Sequence, residues 1–81
     1  MDVADIKPDQ VLDAKGLTCP MPMLKTKKTL KGLSAGQILE IQGTDPGSKN
    51  DIPDFGNKGG NTFLGMIDVS DGYTRYFIQK G

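Results

Sequence analysis

The chain has 81 residues, one cysteine and no histidine, and its ten basic and ten acidic side chains cancel. That length makes one domain, 1–81, with one modest core. Zero net charge gives nucleic-acid binding no support, and a lone cysteine closes no internal disulfide. Without histidine a Ser/His or Cys/His pair is excluded, and a soft-ligand transition-metal site nearly so.

In chain order, Met1 to Asp9 reads as a loose N-terminal arm. It has no basic region followed by an apolar stretch, so no signal peptide is visible and a reducing cytoplasm is the expected location. No apolar run is long enough to span a bilayer. Gln10 to Ala14 alternates Val11 against Leu12 and reads as a strand ended by Lys15-Gly16. A helix follows from about Pro20 to Leu33, closing around Gly32. Its core stripe is Met23, Thr26, Leu30 and Leu33, at spacings of three and four. Gln37 to Gly43 reads as a second strand, and Thr44-Asp45-Pro46-Gly47 as a turn.

Ser48 to Lys58 carries the weakest pattern. Asp51 would cap a short helix with Pro53 in its first turn, Gly56 would weaken it, and Gly59-Gly60 would stop it. Thr62 to Val69 and Tyr73 to Lys80 alternate well, with a hairpin signal at Ser70-Asp71-Gly72. The order is β-α-β-α-β-β. It predicts a two-layer α/β sandwich with two helices on one face of a four-stranded sheet.

The only cysteine stands in Gly16-Leu17-Thr18-Cys19-Pro20-Met21-Pro22, between the first strand and the first helix. Free cysteine is more often a small buried hydrophobe than a nucleophile. The junction reverses that, because a helix N-terminus favours thiolate, the reactive form. With Cys19 as N-cap, Pro20 and Pro22 occupy positions whose donors a helix does not use, and they stiffen the first turn. The N–H groups of Cys19 and Met21 then remain near the sulfur.

Met21, Leu24 and Lys28 lie at i, i+3 and i+7, away from the core stripe, with Lys25 and Lys31 nearby. Apolar groups edged by lysine suit protein docking, although a lysine face alone is more often merely solvated.

The segment Leu12-Asp13-Ala14-Lys15-Gly16-Leu17-Thr18-Cys19-Pro20-Met21-Pro22 resembles the signature of the TusA/SirA-like family of small sulfur carriers. The resemblance continues through Lys27-Lys28-Thr29-Leu30, Gly36, Asp45-Pro46 and Asp51-Ile52-Pro53 to Tyr76-Phe77-Ile78-Gln79-Lys80. It implies a mixed sheet under two helices, and it matches Cys19 to the cysteine that carries sulfane sulfur as a persulfide. Gly16, Pro20 and Pro22 then shape the site. Met21, Leu24, Lys25, Lys27 and Lys28 are the docking candidates, with Asp45 carried by the family's Asp-Pro turn. Met21 stands where many members carry an acidic or other residue, and Gly56 where some have a second cysteine.

The expected activity is sulfur transfer through Cys19, as a carrier rather than a free-standing catalyst. No bound cofactor or metal is needed. The resemblance implies a cysteine desulfurase or rhodanese-type donor and a thiol-bearing, DsrE-like acceptor protein. Direct nucleic-acid and membrane contact are not expected, and the free chain is read as a monomer. Two rivals stay open: a redox-responsive regulatory protein oxidised at Cys19, and a small RNA-binding module of the same two-layer fold.

Overall fold

The computed structural model describes residues 5–18 and 21–81. Strand β1 (Gln10–Ala14) leads to helix α1 (Met21–Lys31), and β2 (Ile38–Gly43) to α2 (Ser48–Gly56). Strands β3 (Thr62–Asp68) and β4 (Thr74–Gln79) close the chain. The sheet order is β1-β2-β4-β3. Strand β1 pairs parallel to β2, and β4 lies antiparallel to both β2 and β3. The sheet is therefore mixed, as expected, and a bulge between Phe63 and Gly65 interrupts the β3 register.

Strand alternation decides which side chains meet the helices. Leu39 pairs with Ile78 and Ile41 with Tyr76, and these four form the core with Ala14, Leu30 of α1 and Ile52 of α2. Leu12, Leu17, Leu33, Phe55 and Phe63 pack around them. On α1 the buried residues are Pro22, Thr26 and Leu30, while Met23 and Leu33 are half-buried. The stripe thus runs through Pro22 rather than Met23. The buried Thr26 hydroxyl donates to the Pro22 carbonyl at 2.7 Å, which satisfies it without a partner across the core.

The opposite sheet face carries charge. The Arg75 guanidinium donates to the Glu40 carboxylate at 2.7 Å, and the Gln42 amide donates to the same carboxylate at 2.6 Å. The guanidinium also lies 5.1 Å from the Phe77 ring centroid. Phe77 is 0% exposed although it points away from the helices.

Helix α2 departs from its sequence reading. Asp51 sits inside the first turn rather than at the cap, and the N-cap is Gly47, with no side-chain cap. The preceding turn supplies what a cap would: Ser48 N donates to the Asp45 carbonyl at 3.1 Å and Lys49 N to the Pro46 carbonyl at 3.2 Å. Pro53 falls within the helix, beyond the first turn, so it gives no helical bond to the exposed Lys49 four residues back.

Gly56 ends α2, and its role is contact rather than weakness. A Cβ there would stand 3.1 Å from the Phe63 Cβ and 3.2 Å from the Ile78 Cδ1. Gly56→Ala is therefore expected to lose about 1–2 kcal/mol through overpacking, although alanine is the better helix former. A urea melt checks this, and a variant as stable as the parent would contradict it.

Asp9, placed in the arm by its sequence, joins β2 at both of its polar groups. Its N–H donates to the Ile38 carbonyl and its carboxylate accepts the Ile38 N–H, each at 2.8 Å.

Candidate functional site

The segment leading into Cys19 begins where β1 runs out. Gly16 has φ +82°, a conformation glycine adopts without cost, and it turns the chain out of the strand. Lys15 N donates to the Asp13 carboxylate at 3.1 Å, and Leu17 N to the Ala14 carbonyl at 3.2 Å. These local bonds set the shape of the turn. Gly16 N donates to the Thr44 hydroxyl at 2.9 Å, which ties the turn to the β2–α2 loop. The Lys15 ammonium lies 4.7 Å from the Tyr73 ring centroid, at the β3–β4 hairpin.

Cys19 and Pro20 lie outside the described residues. Immediately after them, Met21 N donates to the Thr18 carbonyl at 2.9 Å. The Met21 amide, read from the sequence as an orphan donor of the first helical turn, thus has a backbone partner. Pro22 is buried, so it anchors the start of α1 against the core as well as stiffening it.

Met21 is 43% exposed and Leu24 49% exposed. Lys25, Lys27 and Lys28 are exposed as well. Helical spacing puts Met21, Leu24, Lys25 and Lys28 on the outer face of α1. Lys27 stands apart from them, edging a hollow with Leu30, Lys31, Phe55 and Lys58 on the α2 side.

Asp45 is half-buried in the β2–α2 loop. It lines a hollow of about 280 Å³ with Thr44, Pro46, Lys49, Asp68 and Tyr73. The Lys49 ammonium, 3.0 Å from Asp68, and the Thr74 hydroxyl, at 2.9 Å, hold the Asp68 carboxyl below its ordinary pKa. Thr44 and Tyr73 each touch the thiol segment and line this hollow. Sequence reasoning missed both, because Thr44 reads as a turn residue and Tyr73 as the start of a strand. Among the described residues, no group of three or more cysteine, aspartate or glutamate side chains is placed to hold a metal ion.

The four-stranded mixed sheet under two helices and the lone cysteine of a Cys-Pro-x-Pro element are the features of a small family of sulfur carriers. The sequence model of the family described as "Sulfurtransferase TusA" matches residues 10–80, and the chain belongs to that family. YrkI of Bacillus subtilis strain 168 is 49% identical over 76 residues, covering 94% of this chain and 100% of that protein. The sulfur carrier protein TusA of Allochromatium vinosum is 50% identical over 72 residues, covering 89% of this chain and 92% of that one. A SirA-like protein of Desulfitobacterium hafniense shares the fold, with a TM-score of 0.79 at 23% identity over 89% of this chain and 97% of that chain. No helix among the described residues is long and apolar enough to cross a membrane.

Proposed function

We propose that the chain carries sulfur on Cys19 as a persulfide and hands it to a thiol of a partner protein. The observation that carries this reading is that the one cysteine of the chain falls in the Cys-Pro-x-Pro element, inside the stretch that matches the family.

In the loading step, the Cys19 thiolate attacks the outer sulfur of a donor persulfide. A new S–S bond forms at Cys19, the donor S–S bond breaks, and the donor leaves as a thiolate. In the unloading step, an acceptor thiolate attacks the same outer sulfur and Cys19 leaves as thiolate. Sulfane sulfur moves at one oxidation level throughout, so neither step needs an oxidant or a bound cofactor. A cysteine desulfurase or a rhodanese-type protein suits the donor role, and a thiol-bearing, DsrE-like protein the acceptor role. The chemistry suits a reducing cytoplasm, and the whole chain acts as a single domain. Met21, Leu24, Lys25 and Lys28 offer the docking face, and Lys27 and Asp45 are further contact candidates outside it.

Incubation with a cysteine desulfurase, cysteine and pyridoxal phosphate should add the mass of one sulfur atom, and Cys19→Ser should abolish the adduct. Sulfur loading of the Ser variant would overturn the proposal. Added oxygen in place of sulfur, on protein taken from cells, would favour the redox-responsive reading.

A further inference from the structure

We infer that Thr44 is a positioning residue for Cys19, acting through the hydrogen bond from Gly16 N to its hydroxyl. The inference rests on the reading of Cys19 as the sulfur-bearing residue, and it assigns a role to a side chain far from it in sequence.

The argument begins at the end of the β1–β2 pairing. Ala14 and Gly43 are its last pair. Beyond them the backbone ladder stops, and the Thr44 side chain continues the link by accepting from Gly16 N at 2.9 Å, 28 residues away in sequence. The other hydrogen bonds of the turn, Lys15 N to Asp13 and Leu17 N to Ala14, are local and leave it free to move as a unit. Of the hydrogen bonds donated by Lys15, Gly16 and Leu17, the one to Thr44 is the one that reaches a residue distant in sequence. The Lys15 ammonium over Tyr73 is a second and softer tie, in the same direction.

After the turn, Met21 N is held by the Thr18 carbonyl, and Met21 opens α1. The chain is thus secured on both sides of Cys19 and Pro20: by Thr44 before them and by the first turn of α1 after them. A helix N-terminus favours an anion only within about its first turn. Releasing Gly16 frees the segment that leads into Cys19 from the β2–α2 loop, so a thiolate preference that depends on the helix end should weaken and productive encounters should become fewer.

The test compares Thr44→Val, which removes the acceptor at similar size, with Thr44→Ser, which keeps it. Iodoacetamide alkylation of Cys19 is followed against pH in both variants and in the parent, and thermal melts confirm that all three are folded. In Thr44→Val the alkylation midpoint should move up toward the free-cysteine value of about 8.5. Sulfur loading of the variant at saturating donor protein should slow roughly 3–10-fold, the range expected for one net hydrogen bond, with the half-saturating donor concentration unchanged. Thr44→Ser should match the parent in both measurements. An unchanged alkylation profile in Thr44→Val would overturn the inference. So would a Thr44→Ser variant that behaves like Thr44→Val, since the methyl group rather than the hydroxyl would then be responsible. Alkylation needs no sulfur donor. A parent protein that fails to load sulfur would therefore sink the proposed function while the Thr44 comparison still gives its own answer.

Discussion

Leu30→Asp should leave the chain largely unfolded at room temperature, while Leu24→Asp should melt within a few degrees of the parent. Both residues sit on α1, but Leu30 is 2% exposed in the core and Leu24 is 49% exposed. Leu30 packs with Leu39, Ile41, Ile52 and Ile78, none of which can pair with a carboxylate. The substitution loses the burial of a leucine, about 2–5 kcal/mol by the usual truncation range, and adds an unpaired buried charge. A domain of this size has about 4–12 kcal/mol in total. At Leu24 the change is on the surface, where the expected cost is below about 0.5 kcal/mol. The functional outcome should invert. Leu24→Asp removes an apolar contact from the proposed docking face, so sulfur transfer from the donor should fall about tenfold or more. A thermal melt and a transfer assay on both variants decide it. If Leu24→Asp transfers sulfur at the parent rate, the outer face of α1 is not where the donor binds.

The second large effect lies on the other side of the sheet and depends on pH. Glu40 is 3% exposed. Burial acts to raise its pKa, but the hydrogen bonds from Arg75 and Gln42, with the Arg75 charge, outweigh burial and hold it below its ordinary value. A carboxylate with a lowered folded-state pKa contributes stability above its unfolded pKa, about 4.3 for glutamate, and loses that contribution as pH falls through the folded value.

Arg75→Met removes the charged donor and leaves burial with Gln42 alone. At pH 7 the expected cost is about 3 kcal/mol, the lower end for breaking a buried pair, because Arg75 is itself partly exposed. That corresponds to a loss of roughly 12–24 °C in Tm. Glu40 in the variant should titrate above its ordinary range, so protonation relieves the unpaired charge. The gap between parent and variant should therefore begin to shrink above the ordinary glutamate pKa, as the variant's Glu40 takes up its proton, and go on shrinking below it as the parent loses its own ion pair. Paired melts at pH 7 and pH 3.5 measure this. A gap of equal size at both would mean that Arg75 acts through its cover over Phe77 and not through its charge. The lowered pKa of Asp68 adds acid sensitivity to both proteins alike, so it cancels in the comparison.

The amino-acid sequence by itself determined what is local in this protein. Alternation in Gln10–Ala14 and in the last two strands, and the three- and four-residue spacing through Thr26 and Leu30, encode which side of each element is apolar. The order of elements and the single helical layer follow from those periods. The Cys-Pro-x-Pro element was equally legible, because it is a short contiguous motif and carries the chain's one thiol.

What the tertiary structure decided is pairing across distance. Glu40 and Arg75 are 35 residues apart. They meet only because the antiparallel register sets Glu40 opposite Phe77 and Gln42 opposite Arg75. No local pattern states that register. Gly56 looked like a weak point in a helix until the β3 and β4 side chains beneath it left a Cβ only 3.1–3.2 Å from its neighbours. Asp51 looked like a cap until the carbonyls of Asp45 and Pro46 had already taken the first amides of α2. Thr44 looked like a turn residue until the turn after β1 came within hydrogen-bond reach of it. In each case periodicity specifies the face a residue presents, while its partner depends on how distant strands and loops are brought into register, a property of the whole sheet and not of any window of sequence.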